Sequence, residues 1–162
     1  MIKKVKQYIE NVLAEKRDEF AGKAVCPFAK PELVSNKLMI ANIGDKGLGQ
    51  LIDEFHLSKY ESALFIIKDN VPAEQTQKFQ IFVNKVLKTK GLKQYKNICF
   101  NPNDQVSING YNPRSKAPFF MINIARKDVL EKAQEALLKT GYYDKLPDDY
   151  RKFLNVSINL KK

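Results

Sequence analysis

The chain has 162 residues, 44% of them hydrophobic, with 10 Phe, 7 Tyr and no Trp, the length of one domain with enough apolar bulk for a real core. No run approaches the ~20 apolar residues of a membrane helix, and the basic start, Met1 to Lys6, leads into Glu10, Glu15 and Arg17 rather than an apolar signal core. The net charge of +10 points to anionic partners, but its make-up is almost all Lys, which excludes a strong case for specific nucleic-acid reading.

In chain order, Ile2, Val5, Ile9, Val12, Leu13 and Phe20 fall near helical spacing, so residues 2–20 are expected as an N-terminal helix ended by Gly22. Pro27 and Pro31 then argue against regular helix. Residues 37–43 suggest a strand and residues 44–47 a turn. Leu48, Leu51, Ile52 and Phe55 make a short amphipathic helix. Residues 62–67 are continuously apolar, as a strand buried on both faces would be. Pro72 opens a helix whose stripe is Phe79, Phe82, Val83, Val86 and Leu87, ended by Gly91.

A strand at residues 97–100 and a polar, turn-rich run at 101–116 follow. Residues 119–125 form a second strongly apolar strand. Asp128 and Glu131 have capping-pair spacing before a helix carrying Val129, Leu130, Ala133 and Leu137. Residues 141–162 are expected as a tail packed on the single domain 1–162. The alternation predicts an α/β fold, with α+β as the alternative: one mixed central sheet of about four to five strands flanked by four or more helices.

Cysteine and histidine usage limits the chemistry. Cys26 and Cys99 are expected as reduced thiols in a cytoplasmic protein, and His56 as the sole histidine leaves no ordinary zinc site. Cys26 stands before a proline in a loop, where a thiol can be reactive, bind metal or simply fill space. Cys99 lies in an apolar strand and reads as core. His56 sits at i+4 from Ile52, a structural or surface position as readily as a ligand. Gly44-x-x-Gly47-x-Gly49 has neither the P-loop pattern nor the dinucleotide fingerprint.

The run Asn109 to Pro118 is rich in donors, among them Tyr111 and Asn112, and leads straight into an apolar strand. It would hold Arg114 and Lys116 at the mouth of a core, able to clamp a carboxylate or propionate. Only four of the 28 basic residues are Arg (17, 114, 126 and 151). Nucleic acid is therefore expected only as a non-specific partner of stretches such as Lys85-Lys88-Lys90-Lys93-Lys96, and no membrane partner is expected.

Arg114-Ser115-Lys116-Ala117-Pro118-Phe119-Phe120-Met121-Ile122, followed by Arg126 to Leu130, resembles the YqcI/YcgG family, with its Arg-Ser-Arg-like turn, Pro, apolar strand and Arg-containing helix start. Cys26-Pro27-Phe28 looks like that family's Phe-Pro-Cys region, and residues 60–67 are similar to its Tyr-x-Ser-Leu-Val-x-Phe-Phe strand. Tyr143-Asp144-x-Leu146-Pro147 and Tyr150 to Leu154 are similar to its C-terminal tail. A second group of uncharacterised bacterial domains is similar through Cys26 to Ala29, Phe100 to Pro102 and Arg114 to Pro118.

The resemblance implies a haem-dependent oxygenase acting on amine nitrogen of a small amine or amino-acid-type substrate. A haem needs an axial ligand; the chain departs from the family where histidines are usual, before Cys99 and near Pro147, leaving Cys26, Cys99 and His56 as familiar strong ligands. Cys26 or His56 would then hold iron, Arg114 or Lys116 a propionate, and Phe28, Tyr111 and Asn112 the substrate. The alternatives are a cofactor-free small-molecule or partner-binding domain of the same fold, and a lysine-driven polyanion binder.

Overall fold

The computed structural model describes residues 1–153, so Leu154 and the rest of the expected tail lie outside the described residues. The chain starts as α1 (Ile2–Tyr8) and loosens into a π-type turn at Ile9–Leu13, where the Ala14 N–H donates to Ile9 O at 2.8 Å. The helix expected to reach Phe20 ends there. Residues 14–24 instead fold as a ribbon of β1 (Lys16–Arg17) and β2 (Lys23–Ala24), turned by the positive φ of Ala21 (58°) and Gly22 (71°). Leu13 and Phe20, seven residues apart, suit one helical face, but the ribbon buries Phe20 completely by another route.

The proline-containing stretch also departs from expectation, because α2 (Ala29–Val34) forms with Pro31 inside its first turn. The N–H that proline lacks has no helical partner at that position, so the helix loses nothing there. β3 (Leu38–Asn42) is followed not by an open turn but by a single helical turn, α3 (Ile43–Lys46), capped by Asn42 Oδ1 accepting from Gly44 N–H at 3.1 Å. Gly47, at φ 77°, breaks it from α4 (Leu48–His56).

β4 (Ser62–Ile67) then leads through a 3₁₀ turn at Ala73–Gln75 into α5 (Thr76–Thr89), and β5 (Tyr95–Phe100) begins two residues earlier than its apolar core suggests. Phe79, Val83, Val86 and Leu87 of α5 face inward, but Phe82 is 53% exposed, rotated off the buried stripe. α5 ends at Thr89, so Lys85 and Lys88 share a helix whereas Lys90, Lys93 and Lys96 do not. The expected lysine face is therefore not the face of one helix.

β6 (Phe120–Arg126) runs without a loop into α6 (Lys127–Leu138), and α7 (Asp148–Phe153) closes the described chain. The expected cap by Asp128 and Glu131 does not form. Arg126 occupies the capping position with no side-chain cap, and Asp128 accepts from its guanidinium at 3.0 Å.

The architecture is α/β: seven α-helical segments among the described residues cover a four-stranded mixed sheet in the order β3-β4-β6-β5. β3 and β4 are parallel, while β6 is antiparallel to both β4 and β5. Alternation along the strands makes two cores. Leu38, Leu64, Ile66 and Met121 face α1, the π turn, the ribbon and Tyr142–Tyr143. Ala63, Phe65, Ile122 and Ile124 face α4 and α5. Burial on both faces explains why residues 62–67 are apolar without alternation. No helix among the described residues is long and apolar enough to cross a membrane.

Ile122 is fully buried in the central strand, so Ile122→Ala should lower the unfolding free energy by about 2–5 kcal/mol. Leu57→Ala, at a residue 85% exposed, should change it by less than about 0.5 kcal/mol. Urea unfolding followed by circular dichroism compares the two, and equal effects would contradict the placement of the second core.

Candidate functional site

Along the first face of the sheet, packing between the α1 side and α6 is incomplete and leaves a cavity of about 120 Å³. Its floor is the cavity-facing side of β5 and β6, namely Lys96, Ile98, Phe100 and Asn123. One wall is Tyr8 and Leu13 with the loop Val25 to Phe28, and the other is Leu130 and Gln134 of α6. Tyr142, Tyr143 and Tyr150 line the side toward α7, with Pro113 and Arg114 near Tyr8 and Tyr150. A second space of about 80 Å³ shares Leu13, Cys26, Phe28 and Asn123 and continues toward Glu32 and Ser62.

The Arg114 segment reaches this cavity because its loop is tied down by polar side chains. Asn101, fully buried, donates to Val71 O at 3.0 Å and to Thr76 Oγ1 at 2.9 Å. Thr76 in turn donates to Asp104 Oδ1 at 2.9 Å, and Asp104 Oδ2 accepts from Arg114 Nη1 at 3.2 Å. Asn112 holds the turn by accepting from the N–H groups of Arg114 and Ser115 and donating to Asp104 O. Arg114 is only 8% exposed, and its guanidinium lies 5.8 Å from the Phe100 ring centre. A buried charge is tolerable only when paired in this way.

The Cys26 loop is held from both sides. Its N–H donates to Leu13 O at 2.8 Å, while Tyr142 OH donates to the neighbouring Val25 O at 2.9 Å. Tyr8 OH donates to Pro113 O at 2.9 Å, so one phenol ties the helix to the Arg114 turn. Burial pushes the Cys26 thiol upward, offset in part by the backbone N–H groups of Phe28 and Ala29. Burial also raises the Tyr8, Tyr142 and Tyr143 phenols, and Tyr150 is pushed up to about 12. Lys96 is shifted down, first by burial and then by Lys127. Glu32, raised chiefly by burial, accepts from Ser62 Oγ.

The structure therefore brings together three of the expected residues, Cys26, Phe28 and Arg114, around one cavity. It does not bring in the others. His56 is exposed at the end of α4, on the opposite face of the sheet, with Nδ1 2.8 Å from Tyr95 OH. Lys116 is exposed with its Nζ 5.1 Å from the Tyr111 ring centre, and Arg17 covers that ring at 3.7 Å. Tyr111 and Asn112 line neither space. Cys99 is buried in the other core, its thiol pushed up to about 12 by burial.

Sequence reasoning missed Asn123, Lys96, Gln134 and the tyrosines. Asn123 carries a signal in hindsight: a polar side chain in the middle of an apolar strand, donating to Ala63 O at 3.1 Å. Tyr8 and Tyr142 carry none, because they converge from opposite ends of the chain, whereas Tyr143 and Tyr150 fall in the blocks that resemble the family's C-terminal tail.

The haem implied by the resemblance does not fit these residues. Cys26 is the one proposed iron ligand beside the cavity, since His56 lies across the sheet, and Arg114 is engaged with Asp104. A cavity of about 120 Å³ is on the scale of one that holds a single benzene-sized molecule, roughly 150 Å³, and is several-fold too small for a porphyrin. The cavity instead offers tyrosine hydroxyls, the amides of Asn123 and Gln134, the cations Lys96 and Arg114 and an apolar wall, the lining of a small-molecule site.

Removing one partner of the buried ion pair should cost about 3–5 kcal/mol. Arg114→Met and Asp104→Asn should each destabilise strongly, and the double variant by clearly less than their sum. Additive losses in denaturant unfolding would show that the pair does not hold the loop. Cys26 carries a raised folded-state pKa, so its reactive thiolate appears only above the ordinary thiol range of about 8.5. Iodoacetamide labelling of Cys26, followed by peptide mass spectrometry, should be slow at neutral pH and accelerate above that range. Rapid labelling at neutral pH would contradict the burial. Compared with family models, curated proteins and solved structures, the chain matches none of them.

Proposed function

We propose that the protein binds a small, largely apolar molecule carrying one or two hydrogen-bonding groups in the cavity beneath the Cys26 loop. The observation that carries this is the position of Asn123. Asn123 on the central strand, its Nδ2 donating to Ala63 O, puts an amide on the cavity floor in the stretch lined by Leu13, Ile98, Phe100 and Leu130. Polar side chains are rare in such a place unless they orient something.

The size of the cavity and the chemistry of its rim support a ligand such as a small aromatic or branched amine, acid or amide. Lys96 and Gln134 stand on the side facing the α6 cleft, and Arg114 also lines the cavity, so a few polar groups interrupt an apolar lining. Cys26 with its elevated pKa is a poor nucleophile at neutral pH, which favours the cofactor-free binding domain over thiol catalysis.

Indole, benzoate and benzylamine serve as probes, observed by saturation-transfer NMR with the wild-type protein. Leu130→Trp fills the space from the α6 side. At least one probe should receive transfer from the wild type and lose it in Leu130→Trp, whose circular dichroism stays native. Asn123→Leu should weaken that probe by about tenfold, the effect of one lost hydrogen bond of roughly 1–1.5 kcal/mol. No transfer to any probe, or transfer unchanged by Leu130→Trp, would overturn the proposal. A hemin titration runs beside it. A Soret band abolished by Cys26→Ala would replace this reading with the haem-dependent one.

A further inference from the structure

An open sheet has two edges, and this protein treats its two differently. On β5 the N–H of Cys99 donates to Gln80 Oε1 of α5 at 3.3 Å, and the neighbouring Asn97 side chain is held by Asn84 and by Gln80 O. Side chains of α5 thus close that edge. Among the described residues the opposite edge strand, β3, pairs with β4 alone. Asn42, the polar residue at its end, bonds to the start of α3 rather than shielding the strand.

Edge strands are commonly blunted by a lysine, a proline, a bulge or a covering element, because unpaired N–H and C=O groups recruit other strands. Leu38-Met39-Ile40-Ala41-Asn42 has no charge and no proline, and its register against β4 runs unbroken from Leu38–Ser62 to Asn42–Ile66. Beside it lies a groove of about 610 Å³, bounded by Met1, Ile2 and Lys3 on one side and by Asp45, Lys46 and Glu54 on the other. Met1 and Ile2 are both exposed apolar side chains.

We propose that two copies of this chain join along β3, antiparallel about a two-fold axis at Ile40, so that their two four-stranded sheets become one. Shape and charge both select a second copy as the occupant. In that register Met39 faces Ala41 of the second copy and Ala41 faces its Met39, a large residue against a small one twice on the same face. Ile40 meets Ile40 on the other face.

The chain carries a net charge of +10, so two copies repel over most of their surface. The groove is an exception: Lys46 is paired with Glu54 within the chain at 2.9 Å, and Lys3 and Asp45 balance in number, so its rim carries no net charge to repel a second copy. An acidic partner would be drawn to the lysine surfaces instead. A two-fold contact also closes at two copies, leaving β3 of neither copy unpaired.

Sedimentation of the wild-type protein from micromolar to submillimolar concentration should show a species of twice 18.6 kDa. Facing residues of an antiparallel pair lie about 4.5–5.5 Å apart between Cα atoms, within disulfide reach. Ile40→Cys should therefore form a covalent dimer under mild oxidation, whereas wild type and Met39→Cys should not.

A mixture of isotope-labelled and unlabelled wild-type protein provides a readout that needs no substitution, as filtered NOEs between the two Ile40 residues. A monomer at every concentration would overturn the proposal. So would a dimer without those NOEs, or one that cross-links through Met39→Cys in preference to Ile40→Cys. An extended peptide that binds the β3 edge while the protein stays monomeric would replace the second copy as occupant.

Discussion

The insertion of β6 between β4 and β5 is the constraint on which the rest of the molecule depends. β5 precedes β6 in the chain and would pair with β4 as simply, yet β6 takes the central position and is antiparallel to both neighbours. β6 lies beside β5 and antiparallel to it, so the chain returns from β5 to β6 by a long loop at one end of the sheet. Residues 101–118 make that return, and a polar backbone in such a place must have its hydrogen bonds satisfied locally. Asn101 and Asn112 supply several of them, accepting from the N–H groups of Asn103, Arg114 and Ser115 and donating to Asp104 O, while Thr76, Asp104 and Arg114 tie those side chains together. The same network sets Arg114 at the cavity, so the ion pair that stabilises the loop also shapes the site.

Central placement of β6 also divides the apolar residues between two faces. The face toward α4 and α5 is tightly filled by Phe55, Phe65, Phe120 and Ile122. The other face is covered by pieces from far-separated parts of the chain: α1, the ribbon, α2, α6 and the segment around Tyr142. Short elements joined by turns leave gaps that two regular helices do not, and the cavity lies in this patchwork layer. Its four tyrosines are bulky enough to close the gap only partly, and Tyr8 and Tyr142 spend their hydroxyls on backbone carbonyls.

The two sheet edges show the same economy of position. α5 packs against β5 closely enough for Gln80 to reach the strand backbone. α3 and α4 follow β3 by a tight turn and pass over one face of the sheet, which leaves the strand's outer side unmatched among the described residues. Both outcomes follow from the order of the strands, since β3 and β5 are at the rim only because β4 and β6 hold the middle.

Much of the element order was legible in the sequence. The apolar runs at 62–67 and 119–125 declared buried strands, and the spacing of Leu48, Leu51, Ile52 and Phe55 declared α4, because burial on one or two faces leaves a periodic trace. The link between Cys26 and Arg114 was suggested by matching motif blocks, and the cavity does place both residues on its wall. Other features left no such trace. The break of the first helix at Leu13 depends on where Phe20 can be buried, and helical spacing fits either answer. His56, Lys116, Tyr111 and Asn112 looked equally eligible for a site, since a sequence records residue types but not which side of a sheet they reach. Periodicity and turn chemistry, being local, were fixed by the amino-acid sequence by itself. Strand order, the choice of face and the cavity came from the tertiary structure alone, because each depends on contacts between residues about a hundred positions apart, such as Tyr8 with Pro113 and Val25 with Tyr142.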